Sequence, residues 1–172
     1  SKMSGDFFKQ LNIPEPDANL GAGGGTQAEQ TGAIMIRFEE HLRKNRTDLV
    51  LVVGDVTSTM ACAIVAQKIH IKVAHVEAGI RSNDWSMPEE INRMITDSIS
   101  DYFFTTSLHA NENLKKSGIE DKRIFYVGNT MIDTLLKQMP NFTKPNVFDE
   151  LNLKAQEYFV MTMHRPANVD EA

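Results

Sequence analysis

Five short runs rich in β-branched and aromatic residues punctuate the chain: DLVLVVG (48–54), IKVAHVE (71–77), DYFFTTS (101–107), RIFYVG (123–128) and EYFVMTM (157–163). Nearly continuous apolar runs of this length predict strands buried on both faces of a sheet. Between them lie longer segments whose apolar positions recur at helical spacing, from Thr26 to Lys44, Thr57 to His70, Pro88 to Ile99, Ser107 to Ser117 and Thr130 to Met139. In the third of these, Ile91, Met94, Ile95 and Ile99 form the stripe predicted to face the core, with Glu89, Glu90, Arg93 and Asp97 on the opposite side. Strands alternating with helices predict right-handed βαβ units and an α/β fold of three layers, a parallel sheet with helices on both faces.

The alternation stops at MPNFTKPNVFDELN (139–152), whose two prolines read as a linker. The expected organisation is therefore a first domain over residues 1–140, a linker over 141–155 and, over 156–172, the first strand of a second domain. The chain opens on Ser1 and its first twenty residues contain no strand-like run. It is accordingly expected to be a piece of a longer protein, lacking the first domain's opening strand and most of the second.

Composition narrows the class. With 41% apolar and 24% charged residues the chain has the balance of a folded globular protein, which argues against disorder. A net charge of −5 offers no electrostatic reason to expect nucleic acid or an anionic membrane as partner. Cys62 is the single cysteine, so no internal disulfide can form and a reducing cytoplasm is the expected compartment. No apolar run reaches the roughly 18 residues needed to span a bilayer.

Parallel sheets bind ligands beyond the carboxyl ends of their strands, and three candidates fall there: Asp55, Glu77 and His164, the last followed by Arg165. Each has a simpler reading. Asp55 has the residue type of a helix cap, Glu77 that of a solvated loop, and an isolated histidine is as often structural as functional. Glu89 has two roles open to it, because Ser86-Met87-Pro88-Glu89 also fits a capping box. The stretch GAGGGTQAEQ fails the dinucleotide fingerprint at Thr26 and lacks the lysine of a Walker loop. It reads as an entry loop with Thr26 capping the next helix, or as a mobile loop over a bound sugar. Cys62 on an alanine-rich helix reads as a small buried apolar residue. No cysteine/histidine spacing suggests a metal site, and no Gly-x-Ser-x-Gly elbow suggests a serine hydrolase.

Four longer blocks, GDVTSTMACAIVAQ, VAHVEAGIRSNDWSMPEEINRMITDSISDYFFTTSLHANENL, RIFYVGNTMIDTL and MTMHRPANVD, resemble in order and spacing the bacterial non-hydrolysing UDP-N-acetylglucosamine 2-epimerases. The resemblance runs from about residue 14 to the end. One departure is Pro166-Ala167, where many members carry a residue followed by glutamate. Members have two Rossmann-like domains enclosing the active site, the GT-B architecture, and this chain lacks their opening Gly-Thr-Arg-Pro-Glu motif.

The resemblance implies inversion at C2 of UDP-N-acetylglucosamine (UDP-GlcNAc) to give UDP-N-acetylmannosamine (UDP-ManNAc). That carbon has no adjacent carbonyl, so the family eliminates UDP to form 2-acetamidoglucal and adds it back with the proton on the other face. A base, an acid and cationic support for the diphosphate are needed, and no metal or redox cofactor. Carried over by motif position, Asp55, Glu77 and Glu89 are the acid/base carboxylates and His164 contacts the diphosphate. Arg93, Arg81, Arg165 and Asn168 are the implied substrate contacts. Carboxylates crowded around one sugar raise one another's proton affinity, which lets one serve as acid. The rival activities are a hydrolysing epimerase that releases ManNAc and UDP, and a GT-B glycosyltransferase. Homodimerisation is a further implication.

Overall fold

The computed structural model describes residue 11 and residues 13–163. It divides into two compact units after Thr134. The first contains, in chain order, α1 (Gln27–Lys44), β1 (Leu49–Val53), α2 (Thr57–Lys68), β2 (Lys72–Val76), α3 (Pro88–Ile99), β3 (Tyr102–Thr105), α4 (Leu108–Lys116) and β4 (Ile124–Tyr126). Helix α5 (Thr130–Gln138) begins in this unit and crosses the division.

The four strands pair in parallel in the order β1-β2-β3-β4. The parallel α/β fold expected from the alternation is present, with the first four strands and all five helices within a few residues of their predicted bounds. The register aligns Val50 with Val73, Val52 with His75, and His75 with Phe103, so these side chains share one face. There Val50, Val52 and Val73 pack with Leu42 of α1 and with Ala63, Val65 and Ala66 of α2. Farther along the same face, Phe103 packs with Ala78 and Leu114 of α4.

The opposite face differs from expectation. Leu49, Leu51 and Val53 stand about half exposed, so β1 is buried on one side only. The reason lies in the strand order: right-handed crossovers advancing one strand at a time in one direction deposit every connecting helix on the same face. Covering the other face requires a reversal of strand order, which these four strands do not contain.

Helix α3 is rotated from its predicted orientation, although Ile99 of the expected stripe still packs against the core and Met94 and Ile95 are half-buried. Glu90, Asn92, Thr96 and Asp97 are buried, while Ile91 of the expected core stripe is 42% exposed. Asn92 donates to the Asp55 carbonyl and Thr96 to the Asn92 carbonyl, and the two carboxylates find donors described below. Among the described residues no buried side-chain nitrogen or oxygen lacks a partner. A fully bonded polar face can be buried without a desolvation deficit, and this one is.

In the second unit the expected linker contains a 3₁₀ turn, Met139–Asn141, and a short helix α6, Asn146–Glu150, with the Phe148 and Tyr158 rings edge to face at 5.7 Å. Residues 157–163 do not form the predicted strand, and Phe159, Val160 and Met161 are exposed. A strand exists only through its neighbour's hydrogen bonds, and no described strand lies alongside to supply them.

Gly79 anchors the turn after β2. Its φ is +79°, and a Cβ placed there would stand 2.4 Å from the Ala110 carbonyl oxygen of α4. Gly79→Ala is expected to destabilise the unit by about 3 kcal/mol through the combined clash and left-handed backbone, measured as a shift in the urea midpoint at constant slope.

Candidate functional site

The carboxyl ends of β1 and β2 lead into two unusual turns. Gly54 follows β1 at φ +69°, and Glu77 follows β2 at φ +67°. Glutamate pays a steric penalty in the left-handed region, and such residues gather where the surrounding structure imposes the conformation. The Gly54 N–H donates to the Val76 carbonyl at 3.0 Å, tying one turn to the other strand. A Glu77 carboxylate oxygen lies 3.7 Å from where a Cβ on Gly54 would stand, an ordinary van der Waals distance, so that carboxylate sits against the turn that precedes Asp55.

Asp55 and Glu89 line one cleft of about 510 Å³ together with Asn19 to Ala22, Gln27, Gln30, Thr57 and Ser58. Asp55 does not cap α2: Val56 occupies the N-cap and makes no side-chain capping bond. Its carboxylate instead accepts from Arg93 Nη2 at 2.5 Å. Glu89 takes no part in a capping box either. Met87 is the N-cap of α3, and the Ser86 hydroxyl donates to Asp84 at 2.6 Å. Glu89 is thus an exposed carboxylate on the cleft wall, one residue before a buried one.

That buried neighbour, Glu90, is 2% exposed. It accepts from the Ser82 N–H and hydroxyl, both at 3.0 Å, from the Asn83 N–H at 3.1 Å and from Arg93 Nη1 at 2.8 Å. Burial alone would raise its proton affinity, but the bonds from Ser82, Arg93 and Asn83 outweigh it and hold the carboxyl down at about 2. Burial likewise weakens the charge on Arg93, and Glu90 and Asp55 reverse the balance, leaving its proton held more tightly than in free arginine.

A second buried carboxylate supports the turns. Asp97 accepts from the Gly79 N–H at 3.1 Å, from Arg81 Nη1 at 2.6 Å and, on its other oxygen, pairs with His75 Nδ1 at 2.7 Å. His75, fully buried, places its other ring nitrogen 2.9 Å from the Gly54 carbonyl. Asn113 of α4 donates to the Gly79 carbonyl at 2.9 Å. This cluster joins α3, β2, α4 and the Asp55 turn.

The structure therefore gathers Asp55, Glu77 and Glu89 at one end of the sheet, with Arg93 on Asp55. Arg81 is not among the residues lining this cleft: its side chain is nearly buried, and its guanidinium is engaged by Asp97 and by its own Ile80 carbonyl. His164, Arg165 and Asn168 lie outside the described residues. Thr26 does cap α1, in a complete capping box with Glu29, and the segment before it, held by Arg37 through the Leu20 carbonyl, forms part of the cleft wall. Cys62 also borders the cleft, half-buried, with burial pushing its thiol up to about 11. Sequence reasoning passed over His75, Asp97 and Glu90. A histidine inside the buried run KVAHV and charges at 90, 93 and 97 on one helical face were the available signals. Among the described residues no cluster of metal-binding side chains occurs.

The pattern of the family described as UDP-N-acetylglucosamine 2-epimerase matches residues 1–172. UDP-N-acetylglucosamine 2-epimerase of Methanocaldococcus jannaschii is 47% identical over 167 residues, 95% of this chain and 46% of its own length. UDP-2,3-diacetamido-2,3-dideoxy-D-glucuronate 2-epimerase of Pseudomonas aeruginosa is 41% identical over 174 residues, 99% of this chain and 48% of its own. The crystal structure of the M. jannaschii enzyme in complex with UDP-GlcNAc and UDP superposes with a TM-score of 0.85, covering 96% of this chain and 46% of that one at 47% identity. The chain spans about half the length of these relatives.

The linkage between Glu90 and acid stability has a definite sign. A carboxyl held at about 2 in the fold, below its ordinary 4.5, stabilises the folded state above the ordinary value, and that stabilisation is lost as pH falls toward 2. Urea melts between pH 5 and pH 3 are expected to show a steep loss of stability in the parent protein and a flatter one in Glu90→Gln.

Proposed function

Because the chain belongs to the UDP-N-acetylglucosamine 2-epimerase family, we propose that the whole protein inverts C2 of UDP-GlcNAc to give UDP-ManNAc, with the proton transfers carried out by the carboxylates of the first unit. The observation that carries this reading is the shared cleft of Asp55 and Glu89, with Glu77 folded over the adjoining Gly54.

Elimination removes the C2 proton to a carboxylate while the C1–oxygen bond breaks and the electron pair leaves with UDP, giving 2-acetamidoglucal. Re-addition forms the C1–oxygen bond again as C2 takes a proton on its other face. Both transfers need a carboxylate on each face of the sugar, and Asp55 and Glu89 on the cleft wall, with Glu77 beside Gly54, provide the candidates. Arg93 fixes the carboxylate of Asp55, and a fixed base transfers a proton faster than one that must be oriented at each turnover. His164 and Arg165 are assigned to the diphosphate and Asn168 to the substrate more generally, in keeping with the MTMHRPAN block. No step calls for a metal or a redox group.

The P. aeruginosa relative names a second sugar nucleotide for the same assay, because its substrate is also inverted at C2. In the proposed reading the enzyme is a cytoplasmic homodimer with the GT-B architecture, its first domain reaching to about residue 140 and residues 156–172 opening the second. Its product supplies polysaccharide synthesis. No helix among the described residues is long and apolar enough to cross a membrane.

In deuterated water, full-length protein is expected to convert UDP-GlcNAc to UDP-ManNAc with deuterium at C2, while Glu77→Gln loses most turnover; NMR of the products reads both. Free ManNAc and UDP as the products would favour the hydrolysing rival, and transfer to an added acceptor with C2 unchanged would favour a glycosyltransferase. The 172 residues alone are expected to show no turnover and only weak UDP affinity. Submicromolar binding in calorimetry would contradict the expectation that the rest of the second domain supplies most of the uridine and diphosphate contacts.

A further inference from the structure

Two glutamates in succession, Glu89 and Glu90, face opposite environments. Glu89 borders the cleft, whereas Glu90 is enclosed and takes four donors. Two of those donors are backbone N–H groups of residues 82 and 83, where the chain reverses between β2 and α3 and Asn83 adopts φ +59°. The carboxylate of Glu90 therefore attaches the first turn of α3 to that loop. One of its oxygens also takes Arg93 Nη1, which leaves Nη2 of the same planar guanidinium directed at Asp55. A guanidinium is rigid, so fixing one edge fixes the other. Arg93 is itself largely enclosed, with its side chain 12% exposed, and these two carboxylates are the partners its ionised nitrogens find.

We propose that Glu90 is a positioning residue for the reaction: through Arg93 it sets the orientation of the Asp55 carboxylate toward the cleft. This rests on the reading of Asp55 as a proton-transfer group. Glu90 does not line the cleft, so it touches no substrate there and acts only through its partners. The chain of contacts runs from loop 82–83 to Glu90, to Arg93, to Asp55, and each link is a hydrogen bond with a charged group at one end or both. The same helix holds Asp55 a second time through the backbone, since Asn92 donates to the Asp55 carbonyl at 2.8 Å. The main chain of Asp55 is thus fixed independently of Glu90, and what Glu90 controls is the side chain.

This separation makes the role measurable. The experiment compares four forms of the full-length protein: parent, Glu90→Gln, Asp55→Asn and the double variant. For each, kcat and KM for UDP-GlcNAc are read by solvent deuterium incorporation at C2, which detects slow turnover. Glu90→Gln is expected to lower kcat about 10-fold or more with KM within about threefold, and to cost less than about twofold when Asp55 is already Asn. A purely structural role would lower both backgrounds by the same factor, and that result overturns the proposal, as does an unchanged kcat in Glu90→Gln alone. Parent-like turnover in Asp55→Asn would show instead that the reading of Asp55 is wrong, and the positioning role falls with it. Where Glu90→Gln does not yield folded protein, Glu90→Asp, which keeps the charge and shortens its reach by one methylene, takes its place in the same cycle.

Discussion

Two carboxylates on one helix face cannot be withdrawn from water unless each is supplied with donors, and this constraint organises the first unit. Glu90 and Asp97 of α3 are both almost fully buried. Each is served by an arginine and by backbone N–H groups: Arg93 with residues 82 and 83 for Glu90, Arg81 with Gly79 for Asp97. Removing one partner of a buried ion pair generally costs about 3–5 kcal/mol because the other is left uncompensated. The loop between β2 and α3 is therefore fixed by the carboxylates as much as the carboxylates are fixed by the loop. Because that loop follows Glu77 and because Arg93 continues to Asp55, the arrangement that makes burial tolerable also sets the geometry of the cleft.

The division of labour between neighbouring residues follows from the helical period. Positions 90, 93 and 97 fall on one face and look into the protein, while 89 is rotated by about 100° toward the cleft. A pair of glutamates at the start of a helix thus provides one group to hold the structure and another that stays accessible. The turn at Gly54 shows a comparable economy. Its φ of +69° suits glycine, the Glu77 carboxylate sits against it, and its carbonyl meets the His75 ring. The two strand ends are bridged by backbone through Gly54 and Val76, by side chain through His75, and by helix α3 beneath both.

Much of this fold was legible in the chain. The alternation of apolar runs with helical segments identified four strands in their order and five helices, since both signals are local: a buried strand needs β-branched and aromatic residues, and a helix needs a period near 3.6. EYFVMTM carries the composition of a strand, but pairing depends on a neighbour that composition cannot report, and no described strand lies beside it. Asp55 and Glu77 were singled out because topology puts strand ends at the ligand-binding edge, whereas Glu89 was singled out by motif position, since spacing left it equally open to a capping role. What stayed hidden was the burial of the polar side of α3, at Glu90, Asn92, Thr96 and Asp97. Periodicity distinguishes one face from another but does not say which is turned inward, and the usual inference that the apolar face is buried fails where every polar group has a partner. His75 carried a visible signal in KVAHV, an ionisable ring in a run otherwise suited to a core.

The same reasoning explains how the site divides between chemistry and support. A proton-transfer carboxylate must be open to its substrate, and openness allows water and conformational freedom that slow the reaction. In the proposed reading Asp55 meets both demands because its exposure and its restraint come from different directions: one side borders the cleft, the other is held by a guanidinium enclosed in the protein. That guanidinium keeps its place because it bridges two carboxylates, only one of which meets the cleft. Had Arg93 paired with Asp55 alone, its orientation would depend on the group it is meant to orient. Glu90 breaks that circularity by referring Arg93 to the backbone of residues 82 and 83, so the position of an exposed acid is determined by buried main-chain atoms that do not take part in the reaction.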